Sequence, residues 1–452
     1  MDAHLGKATL QRTTFETSRL LDFFSEKELV AQTGHRVAEW PLVIVKELID
    51  NALDACEEAD ISPEIMITVD ECGIEVADNG PGMPPETFKS VLDYAVRVSS
   101  REAYVSPTRG AQGNALKTIV GMPFALDPEI GGVVEIRAKG MSHLIECSVD
   151  RIRQEPVLSH DAGPTEEEES GTSVRVDWPD SASLRLIHAK ARFLQIVDDY
   201  AWINPHLSME IEWFGERRVV RPTNPAWQKW KPSDPTSAHW YKHEHLERLI
   251  AAYITHGQDT GRVRTVRELV TEFRGLSSTA KQKAVLSATG LSREPLTAFI
   301  NNSGGIDIAK VRKLITAMQA HSRPVKPQDL GIIGEEHFRR RFEAAGCDME
   351  TFDYRRDLDD DSDGLPVVAE FAFACRDGFD EDDPVRRRLI TGVNWSPGIV
   401  NPFRQLGPYG ESLDSILTAQ RAASDEPVIA MLHAAQPRVQ YLDRGKSSVV
   451  TD

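Results

Sequence analysis

The most informative segment of this 452-residue chain reads Lys46-Glu47-Leu48-Ile49-Asp50-Asn51-Ala52-Leu53-Asp54-Ala55. On a helix, Glu47 and Asn51 lie one turn apart and Asp54 lies two turns from Glu47, so all three project from one side. An amide oxygen can ligate Mg²⁺, and a carboxylate can polarise a water for attack on a phosphoryl group. The segment therefore predicts metal-phosphate chemistry, and an amphipathic helix with solvated acids is the alternative.

A tight turn follows the next predicted strand and reads Asp78-Asn79-Gly80-Pro81-Gly82-Met83-Pro84. Two Gly and two Pro within seven residues favour a preset turn, which leaves Asp78 at the end of the strand. A buried carboxylate at that point can accept a hydrogen bond from an exocyclic amine, which distinguishes adenine from guanine. A plain surface turn is the alternative.

A glycine-bearing loop comes third and reads Arg109-Gly110-Ala111-Gln112-Gly113-Asn114-Ala115-Leu116-Lys117. Gly110 and Gly113 permit backbone conformations that bring N–H groups close to a phosphate. The residues from Asn114 onward predict the start of a helix, and the amide end of a helix favours anions. A Gly-x-x-Gly pattern alone is weak evidence for phosphate binding.

A fourth segment, Ser170-Gly171-Thr172-Ser173, enters a short predicted strand. The Thr172 hydroxyl can support a catalytic carboxylate or an attacking water, and a purely structural threonine is the alternative. Together the four segments predict a nucleotide site.

The order and spacing of these segments resemble the GHKL ATPase superfamily, which includes gyrase-type ATPases, MutL, chaperones of the ninety-kilodalton heat-shock class and histidine kinases. The resemblance implies a Bergerat α/β sandwich that binds ATP and Mg²⁺, with Glu47 as general base, Asn51 on the metal and Asp78 on adenine. It also implies ATP contacts from a wider set of residues, namely Gly82, Met83, Ser99, Ser100, Gly110, Ala111, Gln112, Gly113, Asn114, Ala115, Leu116, Lys117 and Thr172. Residues 99–117 would form a lid loop. Ala115 departs from the third glycine of several relatives and is more like the MutL version.

Other segments resemble the B subunits of DNA topoisomerase VI. They include Phe15-Glu16-Thr17-Ser18, the stretch Pro327-Gln328-Asp329-Leu330-Gly331-Ile332-Ile333-Gly334-Glu335-Glu336, and residues 433–446. The resemblance implies that Lys446 reaches the γ-phosphate of ATP as a switch lysine. As partners it implies duplex DNA, a second copy of the chain that dimerises on ATP binding, and a separate DNA-cleaving A-type subunit. That family continues into a long docking helix, and we expect this chain, which stops at Asp452, to lack it.

Local patterns predict an α+β protein with four parts. The two resemblances imply what these parts are: the GHKL ATP-binding domain over 1–222, a linker over 223–240, a helical domain like a helix–two-turn–helix over 241–326, and an α/β transducer-like domain of the ribosomal S5 type over 327–452. Strands are predicted at Glu64–Val69, Gly73–Ala77, Val133–Lys139, His143–Val149, Thr172–Asp177, Ser208–Trp213, Leu365–Ala374, Arg388–Asn394 and Val428–Ala434. Two acidic stretches, Pro156–Ser170 and Asp357–Asp363, are expected as exposed loops.

The amino-acid composition limits the kinds of partner that this chain can bind. Lys plus Arg is 52 and Asp plus Glu is 70, so the formal net charge is −18, which argues against coating nucleic acid or anionic membrane over the whole surface. The five Cys include no Cys-x-x-Cys, which favours reduced thiols in a cytoplasmic protein, and the resemblance to a DNA topoisomerase implies association with the nucleoid. The first residues contain no apolar signal region, and no apolar run approaches a membrane span, so no membrane partner is expected.

One local region reverses this charge balance. Residues 261–325 carry eleven Arg and Lys against four Asp and Glu. If clustered, Lys281, Lys283, Lys310, Arg312 and Lys313 predict contact with duplex DNA phosphates. A solvated helical face is the alternative.

The leading functional hypothesis is the ATP-hydrolysing subunit of a type IIB, topoisomerase VI-like enzyme, in which ATP-gated dimerisation is coupled to DNA strand passage. The alternative is an ATP-dependent DNA clamp, or a repair or defence adaptor, that uses the same gate without changing DNA topology.

Overall fold

The computed structural model describes residues 23–84, 88, 104–109, 115–150, 155–165, 170–376, 386–406, 409–442 and 448–449. The helices are α1 (Glu26–Thr33), α2 (Trp40–Glu58), α3 (Ala115–Leu126), α4 (Ser183–Ile203), α5 (His243–Thr260), α6 (Val266–Thr271), α7 (Thr279–Thr289), α8 (Ile308–His321), α9 (Glu335–Ala344) and α10 (Leu413–Ala419). Short 3₁₀ turns occur at Val37–Glu39, Asp180–Ala182, Ala238–Trp240, Leu296–Phe299 and Pro327–Leu330. None of the helices described is long and apolar enough to cross a membrane.

The strands form two sheets. They are β1 (Glu64–Val69), β2 (Gly73–Asp78), β3 (Gly132–Ala138), β4 (Met141–Asp150), β5 (Glu155–Pro164), β6 (Thr172–Asp177), β7 (Ser208–Trp213), β8 (Glu216–Val220), β9 (Asp353–Asp360), β10 (Pro366–Cys375), β11 (Arg388–Val393), β12 (Ser396–Pro397) and β13 (Val428–Ala435). The first sheet has eight strands in the order β5-β4-β3-β6-β2-β1-β7-β8, and the second has five in the order β12-β11-β13-β10-β9. The predicted α+β class is confirmed.

The helix α2 is the central element of the first sheet's core. It begins with Pro41 in its first turn, where the missing N–H of proline costs no helical hydrogen bond. Fifteen of its nineteen residues are buried. It packs against β2 and α4, while α3 packs against β3. The sheet and its helices share one apolar core, to which Ile44, Ile67 and Val176 contribute.

A separate apolar core lies in the second half of the chain. Residues 223–240, which join the two halves, contribute to the same core. Residues of α5 to α9 and of the five-stranded sheet belong to one apolar cluster. The region expected as a linker is packed into it: Trp230 and Trp240 are 2% and 1% exposed, and the Trp230 N–H donates to the Leu330 carbonyl at 2.7 Å. The predicted domain boundaries stay predictions.

Two expected loops contain strands instead. Residues 155–164 form β5, an edge strand on β4, and residues 353–360 form β9, an edge strand on β10. Most β9 side chains are exposed, so the sequence lacks the alternation of apolar and polar residues that marks a half-buried strand. Neighbouring strands, rather than local pattern, determine both edges. Residues 166–169 lie outside the described residues.

Candidate functional site

On α2, one stripe of residues along the helix is accessible to solvent. Glu47, Asn51, Ala55 and Glu58 are partly or fully exposed, and they follow one another at the spacing of one helix face. Glu47 and Asn51 therefore lie together on the accessible stripe, as the sequence predicts. Asp54 does not: it is 3% exposed and bound to Arg109, so the expectation that it shares their face is wrong.

The carboxylate of Asp78 lies at the end of β2, as predicted. Its Oδ1 accepts hydrogen bonds from the backbone N–H groups of Gly80 at 2.8 Å and Thr172 at 3.2 Å. Within the described residues, no group donates to Oδ2. Burial raises the pKa of Asp78 to about 6, against the opposing effect of the two N–H donors. The geometry orients this carboxylate and leaves one oxygen for a donor from outside.

Two loops meet behind Asp78. The hydroxyl of Thr172 accepts a hydrogen bond from the Met83 N–H at 3.0 Å, which joins the β2 turn to the start of β6. Gly171 has φ of +101°, and a Cβ there would lie 1.8 Å from the Asp78 carbonyl oxygen, so only glycine fits. Gly82 also adopts a left-handed backbone, with φ of +78°. Gly82, Met83 and Thr172 thus lie beside Asp78 and order its turn.

The candidate site runs along α2 from the Asp78 turn toward the N-terminal half of the helix. A Cβ at Gly80 would lie 3.6 Å from the Ala55 Cβ, so the Asp78 turn rests against the C-terminal half of the helix. Asn51 and Glu47 follow one and two turns away, and a rise of 1.5 Å per residue puts Glu47 about 12 Å from Ala55 along the axis. The stripe suits an elongated ligand that has a hydrogen-bonding ring at one end and phosphates at the other.

The start of α3 coincides with the predicted helix start. The helix begins at Ala115, and the side chains of Leu116 and Lys117 are buried, Lys117 being 2% exposed. Its first N–H groups follow the glycine-bearing loop directly. The remaining predicted contacts in this region, Ser99, Ser100, Gly110, Ala111, Gln112, Gly113 and Asn114, lie outside the described residues.

Lys446 also lies outside the described residues, but the segments that flank it are described. Tyr441 and Val449 form a β-bridge, and the Leu442 N–H donates to the Ser448 carbonyl at 3.0 Å. Burial raises the pKa of Tyr441 to about 12, and the charges of Lys46 and Asp50 act on the same hydroxyl. The residues on either side of the segment 443–447 are therefore paired with each other.

A buried ion cluster, absent from the sequence-based predictions, lies on the covered side of α2. Arg109 donates to Asp54 at 2.8 Å and to both carboxylate oxygens of Glu57, at 2.7 and 2.6 Å. Lys229 and His206 also contact Glu57, at 2.8 and 3.0 Å. Burial alone would raise the pKa of Glu57, but Arg109 and Lys229 outweigh it and hold that pKa well below its usual value.

A second buried cluster lies one turn nearer the helix start. Asp50 accepts hydrogen bonds from Lys46 at 2.8 Å, Tyr200 at 2.7 Å and Ser396 at 2.8 Å. Only the i, i+4 spacing of Lys46 and Asp50 signals this cluster in the sequence. Ser396 is 346 residues away from Asp50 along the chain, so no local pattern could have revealed it.

The predicted DNA-contacting side chains lie on α7 and α8, which pack against each other. All five, Lys281, Lys283, Lys310, Arg312 and Lys313, are exposed. Lys281 and Lys310 donate to the carbonyls of Gly275 and Ala298, at 2.8 and 2.7 Å. These bonds hold the two side chains in place, and Lys310 Nζ also lies 3.7 Å from a carboxylate oxygen of Asp307. DNA contact stays a prediction.

Comparison with known proteins found a family model and relatives that match the part of the chain containing this site. Residues 37–182 match the family model of the histidine kinase-, DNA gyrase B- and HSP90-like ATPases. The B subunit of type 2 DNA topoisomerase 6 from Natronomonas pharaonis is 31% identical over 177 residues, which are 37% of this chain and 21% of that protein. The protein of the same name from Archaeoglobus fulgidus is 41% identical over 83 residues, 18% of this chain and 14% of that protein. The chain thus matches about a fifth or less of the length of these two relatives.

A solved structure was also found. The ATPase region of Saccharomyces cerevisiae topoisomerase II aligns with 91% of this chain and 77% of that chain, at 11% identity and a TM-score of 0.40. The resemblance to GHKL ATPases that the four sequence segments indicate is confirmed by the family match.

Proposed function

We propose that this chain, in which residues 37–182 form a domain of the histidine kinase-, gyrase B- and HSP90-like ATPases, binds ATP along the accessible stripe of α2 and hydrolyses it. The observation that carries the proposal is the alignment of Asp78, Asn51 and Glu47 at successive positions beside one helix. The ring end of the ligand lies at Asp78 and the phosphate end at Glu47.

In this proposal, Asp78 recognises adenine. Its Oδ1 is occupied by two backbone N–H groups, so that Oδ2 is the oxygen directed to the exocyclic amine of adenine. Guanine presents a carbonyl at the corresponding ring position, and two acceptors facing each other repel. The site therefore selects adenine over guanine.

In the same proposal, Asn51 and Glu47 act at the phosphate end of the nucleotide. Three acidic side chains of α2 are buried and paired with cations, namely Asp50, Asp54 and Glu57. The amide of Asn51 is instead exposed and lies on the accessible stripe. Asn51 would hold Mg²⁺ through its amide oxygen, because Mg²⁺ prefers oxygen ligands and takes the rest from phosphate and water. When bound, the ion neutralises charge on the phosphates. Glu47 accepts the proton of the attacking water.

At the level of the whole protein, we propose the ATPase subunit of a type IIB topoisomerase. The support is the similarity to the B subunits of type 2 DNA topoisomerase 6 and the basic surface of α7 and α8. In this role two copies of the chain associate when ATP binds. Duplex DNA contacts the basic helices, and a separate subunit cleaves one duplex while the other passes. Lys446 senses the γ-phosphate from the segment 443–447.

The decisive experiment captures the cleaving partner. The tagged chain is purified with its associated proteins, and relaxation of supercoiled plasmid is measured with and without ATP. The proposal predicts ATP-dependent relaxation that a Glu47→Ala chain does not support. ATP-dependent DNA binding with unchanged plasmid topology would instead favour the clamp or adaptor.

A further inference from the structure

The hairpin turn between β11 and β12 contains a backbone conformation that is costly for its residues. Val393 pairs with Ser396, so Asn394 and Trp395 form a two-residue turn, with φ of +50° and +61°. Such turns favour Asn-Gly, because a side chain at the second position is strained in the left-handed region. Here the second residue is a fully buried tryptophan. Its surroundings must therefore hold it in place.

On one side, the turn contacts the segment that precedes Gly110. The Asn394 side-chain amide donates to the Thr108 carbonyl at 3.2 Å. The Trp395 carbonyl accepts hydrogen bonds from the Arg109 Nε at 3.3 Å and from the Asn204 side chain at 3.1 Å. Through Arg109, the turn reaches Asp54 and Glu57 on the C-terminal half of α2.

On the other side, Ser396 contacts the N-terminal half of α2. Its hydroxyl donates to Asp50 Oδ2 at 2.8 Å and accepts from Lys46 Nζ at 2.7 Å. Lys46 is the residue directly before Glu47, and Asp50 is the residue directly before Asn51. A shift of Ser396 would therefore act on the helical turn that carries both proposed functional side chains.

The turn also forms hydrogen bonds with β13 of its own sheet. The Trp395 N–H donates to His433 Nε2 at 3.1 Å, and the Asn394 N–H donates to the Ala434 carbonyl at 2.9 Å. The Gln436 N–H donates to the Asn394 side chain at 2.9 Å. Two residues near the end of β13 and the residue that follows the strand thus hold the turn, and the segment of Lys446 comes a few residues later in the chain.

We infer that Asn394, Trp395 and Ser396 are positioning residues for ATP hydrolysis, with Ser396 fixing the helical turn of Glu47 through Lys46 and Asp50. The inference rests on the proposed function. The five-stranded sheet acts on the ATP site through this rigid turn, in addition to any contact made by Lys446. Because Ser396 touches neither Asp78 nor the accessible stripe, its loss changes turnover rather than nucleotide affinity.

The test compares Ser396→Ala with the parent chain. Ser396→Ala should lower kcat about tenfold, while the affinity for a fluorescent non-hydrolysable ATP analogue changes less than about twofold. Ser396→Thr keeps the hydroxyl and should restore kcat. Thr391→Val is the matched control, because it removes a buried hydroxyl from β11 of the same hairpin and should leave kcat unchanged. Asn394→Gly keeps the turn and removes the side-chain bonds to Thr108 and Gln436, and it should also lower kcat while leaving analogue affinity nearly unchanged.

Several results would overturn the inference. One is a Ser396→Ala chain that turns over like Thr391→Val. Another is a parallel loss of kcat, analogue affinity and melting temperature, which would indicate a merely structural serine. If Ser396→Ala does not fold, Asn394→Gly decides by the same criteria. A folded parent chain that hydrolyses no ATP would instead overturn the proposed function, and this inference with it.

Discussion

Arg109 and Glu57 form a fully buried two-point ion pair, with Nη1 to Oε2 at 2.7 Å and Nη2 to Oε1 at 2.6 Å. The residues are 52 positions apart, one on α2 and the other just before the glycine-bearing loop. The Arg109 guanidinium also contacts Asp54, Asn204 and the Trp395 carbonyl. A single side chain therefore joins α2 to the residue that follows α4 and to the turn between β11 and β12.

Removing this side chain should cost much of the protein's stability. Arg109→Met fills a similar volume but leaves two buried carboxylates with less compensating charge, and we expect a loss of about 3–5 kcal/mol in the free energy of unfolding. Urea unfolding followed by tryptophan fluorescence measures it. Arg217→Met is the control, since Arg217 pairs with Glu210 at the surface, where solvent screens the pair, and this variant should unfold close to the parent chain. Equal losses for both variants would contradict the assigned role of the cluster.

Glu47→Ala should separate ATP binding from hydrolysis. Without a carboxylate to accept the proton of the attacking water, turnover should fall by about 10²–10⁴-fold while ATP still binds. Steady-state phosphate release and analogue titration provide the two measurements. Glu71→Ala removes an exposed carboxylate from the turn between β1 and β2, outside the stripe, and should turn over normally. Near-normal hydrolysis by Glu47→Ala would refute the role of Glu47.

Nucleotide affinity should depend on the ionisation of Asp78. Burial raises the pKa of Asp78 to about 6, so the carboxylate gains a proton as the pH falls through about 6. An exposed aspartate would remain ionised there, since its pKa is about 3.9. A neutral carboxyl group is a weaker acceptor for the adenine amine, and ADP affinity should therefore fall between about pH 7.5 and 5.5.

Asp78→Asn is the control for this dependence. Protonation of the ADP phosphates affects both chains alike, so the difference between their pH profiles reports Asp78. The variant should bind ADP weakly and show a flatter profile. Superimposable profiles would indicate that Asp78 does not contact the base.

The basic surface of α7 and α8 should determine DNA affinity. Changing Lys310, Arg312 and Lys313 to Glu should weaken binding to duplex DNA. The slope of log affinity against log salt should fall by about 0.9 for each phosphate that the protein no longer neutralises. Fluorescence anisotropy at several salt concentrations gives both quantities. Changing Lys190, Arg217 and Arg218 to Glu alters the net charge equally on another surface. If both triple variants bind DNA alike, the surface of α7 and α8 is not the DNA site.

Local sequence was sufficient for much of the first sheet. The predicted strands Glu64–Val69, Thr172–Asp177 and Ser208–Trp213 have the observed bounds, because each carries a regular apolar pattern that one buried face requires. The accessible pair Glu47 and Asn51 was also predictable, since helical spacing alone brings them together. Edge strands such as β9 were missed because their exposed side chains follow no such pattern.

Helical spacing could not show which side of α2 is covered. By periodicity Asp54 is equivalent to Glu47, yet it is buried and pairs with Arg109, which in turn contacts the Trp395 carbonyl. The partners of Asp50 and Glu57 come from distant parts of the chain, such as positions 109 and 396. Such long-range hydrogen bonds and ion pairs depend on tertiary packing and leave no local signal.

The central claim is that Asp78, Asn51 and Glu47 line one site for ATP and Mg²⁺. Isothermal titration of the folded chain with a non-hydrolysable ATP analogue and Mg²⁺ tests it most directly. We predict saturable binding at one site per chain, a raised melting temperature, and loss of both effects in Asp78→Ala. Absence of heat and of any melting shift in the folded parent chain would contradict the claim.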